Sequence, residues 1–341
     1  MKYDALLLVS FGGPESPEEV MPFLQNVLRG KNVPEERMLE VAEHYHHFGG
    51  GSPINRQNRE LIAALQREFD EHGPQVPIYW GNRNWHPMLP DTLRKMKAEG
   101  VQRALAFVTS AFSSYSGCRQ YRENIAAAQA VAGEGAPQVD KLRVFYNHPG
   151  FIQAMAEQVQ AARLRLPADV RDRAQVLYTA HSIPVAMAQN SNYLLQLEES
   201  CRLVSEALGC SDGRLVFQSR SGPPSQPWLE PDILACLREI KETGSHPAAI
   251  IVPIGFVSDH MEVLYDLDTE ARAVCEQIKL PMERAGTAGT HPAFIRMIRE
   301  LVVERTEERA VRTALGRLGA SHDVCPEGCC PAPQRPPATH P

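Results

Sequence analysis

The sequence predicts an α/β protein of two lobes, each an open parallel sheet with helices on both faces. Three observations carry this. The chain has 341 residues, 43% of them hydrophobic, enough for two packed lobes of about 150 residues each. Six apolar runs, too short for helices and rich in Val, Ile, Leu and aromatics, read as buried parallel strands. Amphipathic stretches separate them, as in strand–helix crossover units.

The elements follow in chain order. The first strand is expected at 5–9, ahead of a Gly12-Gly13-Pro14 turn. The helix after it has a start signal: Ser16 to cap, Pro17 at the first helical position, and Glu19 completing Ser-x-x-Glu. An amphipathic helix is expected over 59–70 and strands at 104–108 and 142–146. The break between lobes is placed at 147–150, before a helix beginning at Phe151. The second lobe holds strands at 176–179, 214–217 and 249–254, with a helix over 194–208. This divides the chain into 1–150, 151–320 and a tail, 321–341. The tail carries six prolines, so it forms neither helix nor strand and needs something to tie it down. No short repeat is visible.

A net charge of −6 gives no global attraction to nucleic acid or to an anionic membrane. Residues 6–11 are too short for a signal sequence or a membrane span, so a cytoplasmic protein without integral membrane contact is expected. Five of the eight cysteines are scattered, whereas Cys325, Cys329 and Cys330 crowd the tail. In a large intracellular chain this reads as a metal or iron–sulfur site rather than a disulfide framework.

Chemistry is expected at the strand ends. His181, in Tyr178-Thr-Ala-His181-Ser-Ile-Pro184, closes a parallel strand, and ligands in open α/β sheets bind beyond the carboxyl ends of strands. The plain alternative is a histidine satisfied by hydrogen bonds. Glu262, Asp266 and Glu270 follow another strand at i, i+4 and i+8, one helix face. A solvated face explains such a stripe, and so does a path for protons or hard cations. The Gly49-Gly50-Gly51-Ser52 turn lacks the Lys-Ser/Thr of a phosphate loop and is either a plain turn or a close backbone approach to a flat ligand. Small residues from Ser110 to Tyr121 leave room for a ligand, with Tyr121 as a polar aromatic wall. Many polar and aromatic loops at one sheet edge imply a large cleft.

Four segments in register, Leu6 to Pro14, the Gly49 to Ile54 turn, Ala180 to Pro184, and Ser258 to Tyr265, resemble the ferrochelatases. The likeness runs from about residue 3 to about 315, and the loops after Tyr79 and Ser113 are most similar to the actinobacterial, coproporphyrin III-using branch. The resemblance implies two Rossmann-like, chelatase-type lobes with a porphyrin between them. It implies His181 and Glu262 as the inner-site pair that handles Fe2+ and pyrrole protons, and Asp266 and Glu270 as a proton or metal relay. It implies porphyrin contacts at Ser52, Tyr121 and Arg29, the last pairing with a propionate. Where some members carry a tyrosine that binds product iron, this chain has Phe11. The charged lip from Arg29 to Glu43 favours tetracarboxylate coproporphyrin III over protoporphyrin IX. The tail resembles extensions that hold a 2Fe-2S cluster through Cys325, Cys329 and Cys330, with Cys118 as the chosen fourth ligand and Cys201, Cys210 and Cys236 as alternatives. A zinc site or free thiols are the other readings of the tail. A monomer is expected, handing its product to the next haem-pathway enzyme. Competing classes are a non-catalytic porphyrin or haem carrier, which has no use for both His181 and Glu262, and a cobalt or nickel chelatase, which lacks the segment 258–265. A periplasmic binding protein has two α/β lobes but needs a secretion signal.

Overall fold

A computed structural model of the chain describes residues 2–30, 33–223, 225–307, 309 and 311–332. It contains two four-stranded parallel sheets. The first is ordered β2-β1-β3-β4, with β1 Ala5–Ser10, β2 Ile78–Asn82, β3 Arg103–Val108 and β4 Gln138–Lys141. The second is ordered β6-β5-β7-β8, with β5 Gln175–His181, β6 Arg214–Gln218, β7 Ala249–Val252 and β8 Met282–Arg284. The two orders are the same, so the chain is a structural duplication without a visible sequence repeat.

In the first half the helices are α1 Pro17–Leu28, α2 Glu35–His47, α3 Ile54–His72, α4 Leu89–Ala98 and α5 Gln120–Ala132. α6 Pro149–Arg165, α7 Val185–Gln189, α8 Tyr193–Leu208 and α9 Ile233–Thr243 follow, then α10 Met261–Val263, α11 Arg272–Ile278 and α12 Pro292–Thr306. Between α10 and α11 the backbone is π-helical over Leu264–Ala271, and a second π-helical turn, Tyr115–Arg119, leads into α5.

Every residue of β1 is buried, which explains its unbroken apolar run: helices cover both faces of a parallel sheet. The largest core cluster draws on both sheets and is stitched by rings. Phe107 and Phe145 stack at 5.3 Å, and Phe294 of α12 meets Phe145 at 5.8 Å and Phe151 of α6 at 6.3 Å. Helix α12 also reaches α3, where Arg299 donates to the carbonyls of His72 at 2.7 Å and Gly73 at 2.8 Å.

Several expectations are corrected. The strand expected at 142–146 is not one: the ladder ends with β4 at Lys141, and only Leu142 still bonds to it, its N–H reaching Ala106 O at 2.9 Å. The apolar side chains that follow are buried between the sheets, so burial without pairing mimics a strand in the sequence. β7 stops at Val252 because Pro253 has no N–H to offer. β2, half-exposed at its start, and the three-residue β8 are too weakly patterned to be located in advance. α6 begins at Pro149, two residues early, with His148 Nδ1 accepting from Gly150 N at 3.2 Å. The box at α1 is displaced: Ser16 makes no side-chain cap, while the Glu19 carboxylate accepts from Glu15 N and from Trp85 Nε1, both at 2.8 Å.

The segment 311–332 has no helix or strand among its described residues, yet it is held by more than cysteines. Arg143 donates to Thr313 O at 2.8 Å, and Asn147 to Leu315 O at 3.1 Å and Gly319 O at 2.8 Å. Asp323 pairs with Arg312 at 2.5 Å and Arg305 at 3.7 Å. Residues 333–341 of the expected tail lie outside the described residues. Among those described, no helix is long and apolar enough to cross a membrane.

Candidate active site

His181 is the last residue of β5, and its ring is fixed on one side by its own backbone. Nδ1 lies 2.5 Å from Ser182 O. A carbonyl only accepts, so Nδ1 carries a proton and the neutral ring keeps its lone pair on Nε2. That atom faces Glu262, with 3.7 Å between Nε2 and Oε2. The His181 carbonyl accepts from Tyr193 OH at 3.0 Å, anchoring the strand end to α8. Glu262 sits in α10, reached from β7 through a loop held by Gly255 N–H to Thr179 O at 3.0 Å. A Cβ at Gly255 would stand 2.7 Å from the Ala180 Cα, so only glycine lets this loop lie against β5.

The charges at the pair are strongly coupled. Desolvation disfavours the imidazolium, but the Glu262 charge and hydrogen bond outweigh it and lift His181 to about 9. Desolvation likewise opposes the Glu262 carboxylate, and His181 overrides it, holding Glu262 at about 2. Asp266, one turn on, behaves oppositely. Burial is the main cause, aided by the charges of Glu262 and Glu270, and together they raise it to about 7 against hydrogen bonds from Ser219 and Gln218. Ser219 reaches Asp266 from a left-handed backbone, φ 60°, and Gln218 Nε2 donates to Asp266 at 3.2 Å and to the Glu262 carbonyl at 3.1 Å. Glu270, at the far end of the stripe, is also raised, chiefly by burial. A charged pair, then a carboxyl that exchanges its proton near neutrality, then a further carboxyl leading outward: this arrangement can accept, hold and pass protons.

The first lobe forms the opposite wall. The Tyr45 phenol of α2 is raised by burial and by the Glu262 charge, so the lip helix lies close to the pair. Tyr45 meets Phe23 at 5.9 Å, and Phe23 meets Phe11 at 6.3 Å. His44 stacks on Tyr265 at 3.5 Å, and Gln57 and Asp259 bond twice, at 2.8 and 3.3 Å, closing the lip onto the second lobe. Ser52 is buried beside the Gly13 turn, 3.5 Å from Ile54 N. Arg29 caps the end of α1 in the open, and its guanidinium has no partner among the described residues; Lys31 and Asn32 of the lip lie outside them. Tyr121 in α5 is only 5% exposed, and the Arg83 guanidinium covers its ring at 4.4 Å. The glycine turn is a packing turn: a Cβ on Gly50, at φ 83°, would sit 2.4 Å from Pro17 Cα. The close approach at Gly50 is to α1.

The cysteines converge, though they come from opposite ends of the sequence. Cys118, buried in the π-helical turn, neighbours Cys325, whose thiol pulls Cys118 down against burial while Cys325 itself is raised. Cys329 and Cys330 sulfurs are 3.7 Å apart. His322, Cys325 and Cys329 bring donor atoms within 4.8 Å of one another. These three are a donor set that can bind a metal ion, with Cys330 beside Cys329 and Cys118 beside Cys325. His322 carried no motif in the sequence; only its distance of 4.0 Å from Cys329 reveals it.

Two parallel sheets of one topology, with a histidine–carboxylate pair between them, define a two-lobed chelatase. SirB from Bacillus subtilis, solved with Fe3+, shares this fold at a TM-score of 0.58 and 10% identity, over 90% of this chain and 98% of that one. The sequence profile of the ferrochelatases matches residues 3–306, and the chain belongs to the ferrochelatase family. It is 61% identical to a ferrochelatase of Rhodopirellula baltica over 98% of this chain and 95% of that one. It is 52% identical to a coproporphyrin III ferrochelatase of Streptomyces coelicolor over 97% and 94%. Membership makes the chain a lyase that inserts metal in haem synthesis.

Proposed function

We propose that the enzyme inserts Fe2+ into coproporphyrin III, releasing two protons and Fe-coproporphyrin III. The observation that carries the chemistry is the His181 Nε2 to Glu262 Oε2 approach at 3.7 Å with Nδ1 committed to a carbonyl. Entry of the ring and Fe2+ between the lobes separates the two charges. Freed from Glu262, His181 returns toward neutrality and accepts a pyrrole proton at Nε2. Glu262 faces it as the carboxylate for the incoming metal, and Asp266 and Glu270 carry protons away. Arg29 pairs with a propionate, and Ser52 and Tyr121 contact the macrocycle.

Support for coproporphyrin III comes from the charged lip, from Arg29 without a partner among the described residues, and from the name of the Streptomyces relative. The Rhodopirellula relative is named for ferrochelatase alone, so protoporphyrin IX is the competing substrate. Anaerobic turnover of both porphyrins with Fe2+ decides: coproporphyrin III is expected to be the faster, and turnover of protoporphyrin IX alone overturns the reading.

The proposal extends to Cys118, Cys325, Cys329 and Cys330 as ligands of a 2Fe-2S cluster. Bound there, a cluster supplies one-electron redox capacity. Anaerobically purified protein is expected to be coloured and to contain equal iron and sulfide; a colourless sample lacking both rejects it. We place the lobe boundary at residue 150, and read the protein as a cytoplasmic monomer that passes its product to the next haem-pathway enzyme.

A further inference from the structure

Arg83 stands on the loop after β2, at the cleft end of the first sheet. Its N–H bonds to Ser10 O at 3.0 Å, at the end of β1. Its guanidinium is held on three sides. Nε donates to Asn124 Oδ1 at 2.7 Å and Nη1 to Ser116 O at 3.3 Å. The plane lies 4.4 Å over the Tyr121 ring and 5.7 Å from the Phe11 ring. Nη2 has no partner, and no carboxylate pairs with the group, among the described residues. Phe11, 37% exposed, continues through Phe23 and Tyr45 to the neighbourhood of Glu262, so Arg83 belongs to the wall that faces the pair.

A cation built this rigidly and left without a counter-ion is a poor stability device. Two hydrogen bonds and two rings have already removed the entropy that a long side chain would lose on binding, which is the condition for an efficient anion site. Guanidinium donors match carboxylate oxygens in strength and geometry. Coproporphyrin III carries four carboxylates around its rim, more than Arg29 alone can meet.

We propose that Arg83 binds a carboxylate of the porphyrin substrate, through the N–H groups it leaves unpaired beside Tyr121 and Phe11. This rests on the coproporphyrin III reading for the number of carboxylates, not for the presence of one. Tyr121 then acts as the platform that aims the guanidinium.

The test is a fluorescence-quenching titration of iron-free protein with coproporphyrin III and with its tetramethyl ester, for the parent and Arg83→Gln. The free acid is expected to bind the variant about tenfold more weakly or worse, and the ester to bind both proteins equally. Equal losses for acid and ester would mean that Arg83 only shapes the wall, and no loss for either would mean that it meets nothing; each overturns the proposal. Should Arg83→Gln not fold, Arg83→Lys keeps the charge without the fork and is expected to fall between. The same titration with protoporphyrin IX separates the two readings: an Arg83-dependent affinity there, in an enzyme that does not turn over coproporphyrin III, retains the anchor and removes only the substrate assignment.

Discussion

Replacing Glu262 by glutamine removes one charge beside His181 and leaves its Ser182 carbonyl contact and its burial unchanged. In the parent, His181 is raised from 6.5 to about 9 and Glu262 lowered from 4.5 to about 2, each by the other's charge and hydrogen bond acting against desolvation. The side chains are 32% and 50% exposed, so solvent screening limits the pair's contribution to roughly 1–2 kcal/mol. With Glu262 gone, desolvation acts on His181 opposed only by Ser182 and Asp266, and its pKa is expected at or below 6.5. Imidazole NMR of labelled, substrate-free protein reads this directly. The same pair sets a stability window. The raised His181 contributes fully below 6.5 and loses its share as pH rises through 9; the depressed Glu262 contributes fully above 4.5 and loses its share as pH falls through 2. Glu262→Gln is therefore expected to lower the thermal midpoint most between pH 4.5 and 6.5 and hardly at all above pH 10. A parent His181 that titrates near 6.5 and does not move in the variant refutes the coupling.

Asp266→Asn is expected to slow metal insertion while raising the thermal midpoint at pH 8 and not at pH 3, because a carboxyl raised from 3.8 to about 7 costs the fold more as pH rises past both values. Arg143→Met strands the Glu304 carboxylate, from a pair with side chains 1% and 4% exposed, and should cost about 3–5 kcal/mol in urea unfolding; a loss below about 0.5 kcal/mol contradicts the assigned burial. Gly50→Ala meets Pro17 backbone at 2.4 Å as well as a φ of 83°, whereas Gly49→Ala, at φ 79°, meets nothing within 4 Å. The first is expected to destabilise by about 2 kcal/mol or more and the second by about 1; equal losses would remove the packing argument.

What could be read in advance was whatever has a period or an end. β1, β3, β5 and β6 are fully or largely buried, so their runs stand out, and His181 stands out because it terminates one of them. Glu262, Asp266 and Glu270 share a spacing, which survives although the backbone there is π-helical rather than α-helical. Contacts between segments distant in the chain had no such signature. The Cys118 and Cys325 thiols are joined by a fold that wraps the tail back along Arg143 and Asn147, and no spacing encodes that. Arg83 lay inside the loop after Tyr79, noted only for its family likeness, and its stacking on Tyr121 of α5 joins segments that no spacing links. Residues 142–146 were misread because burial between two sheets and burial within one leave the same apolar run.

The duplicated strand order explains why the pair forms where it does. In each sheet the chain goes from the central strand to one side, β1 to β2 or β5 to β6, then returns to the other side, at β3 or β7. The loops leaving β1 and β3, or β5 and β7, therefore diverge, and a crevice opens between them at the carboxyl ends. His181 ends β5 and Glu262 follows β7, so the pair comes from the two strands that flank the second crevice. Phe11 follows β1, and the segment leading to Tyr121 follows β3, so the aromatic wall comes from the strands that flank the first. The same topological position is thus used twice, filled with ionisable groups in one lobe and aromatic ones in the other, and the proposed function assigns acid–base chemistry to the first and ring binding to the second. A flat macrocycle, whose central nitrogens lie in its plane and are reached from either face, suits that asymmetry: on the proposed reading one side holds the ring and the other exchanges its protons for metal.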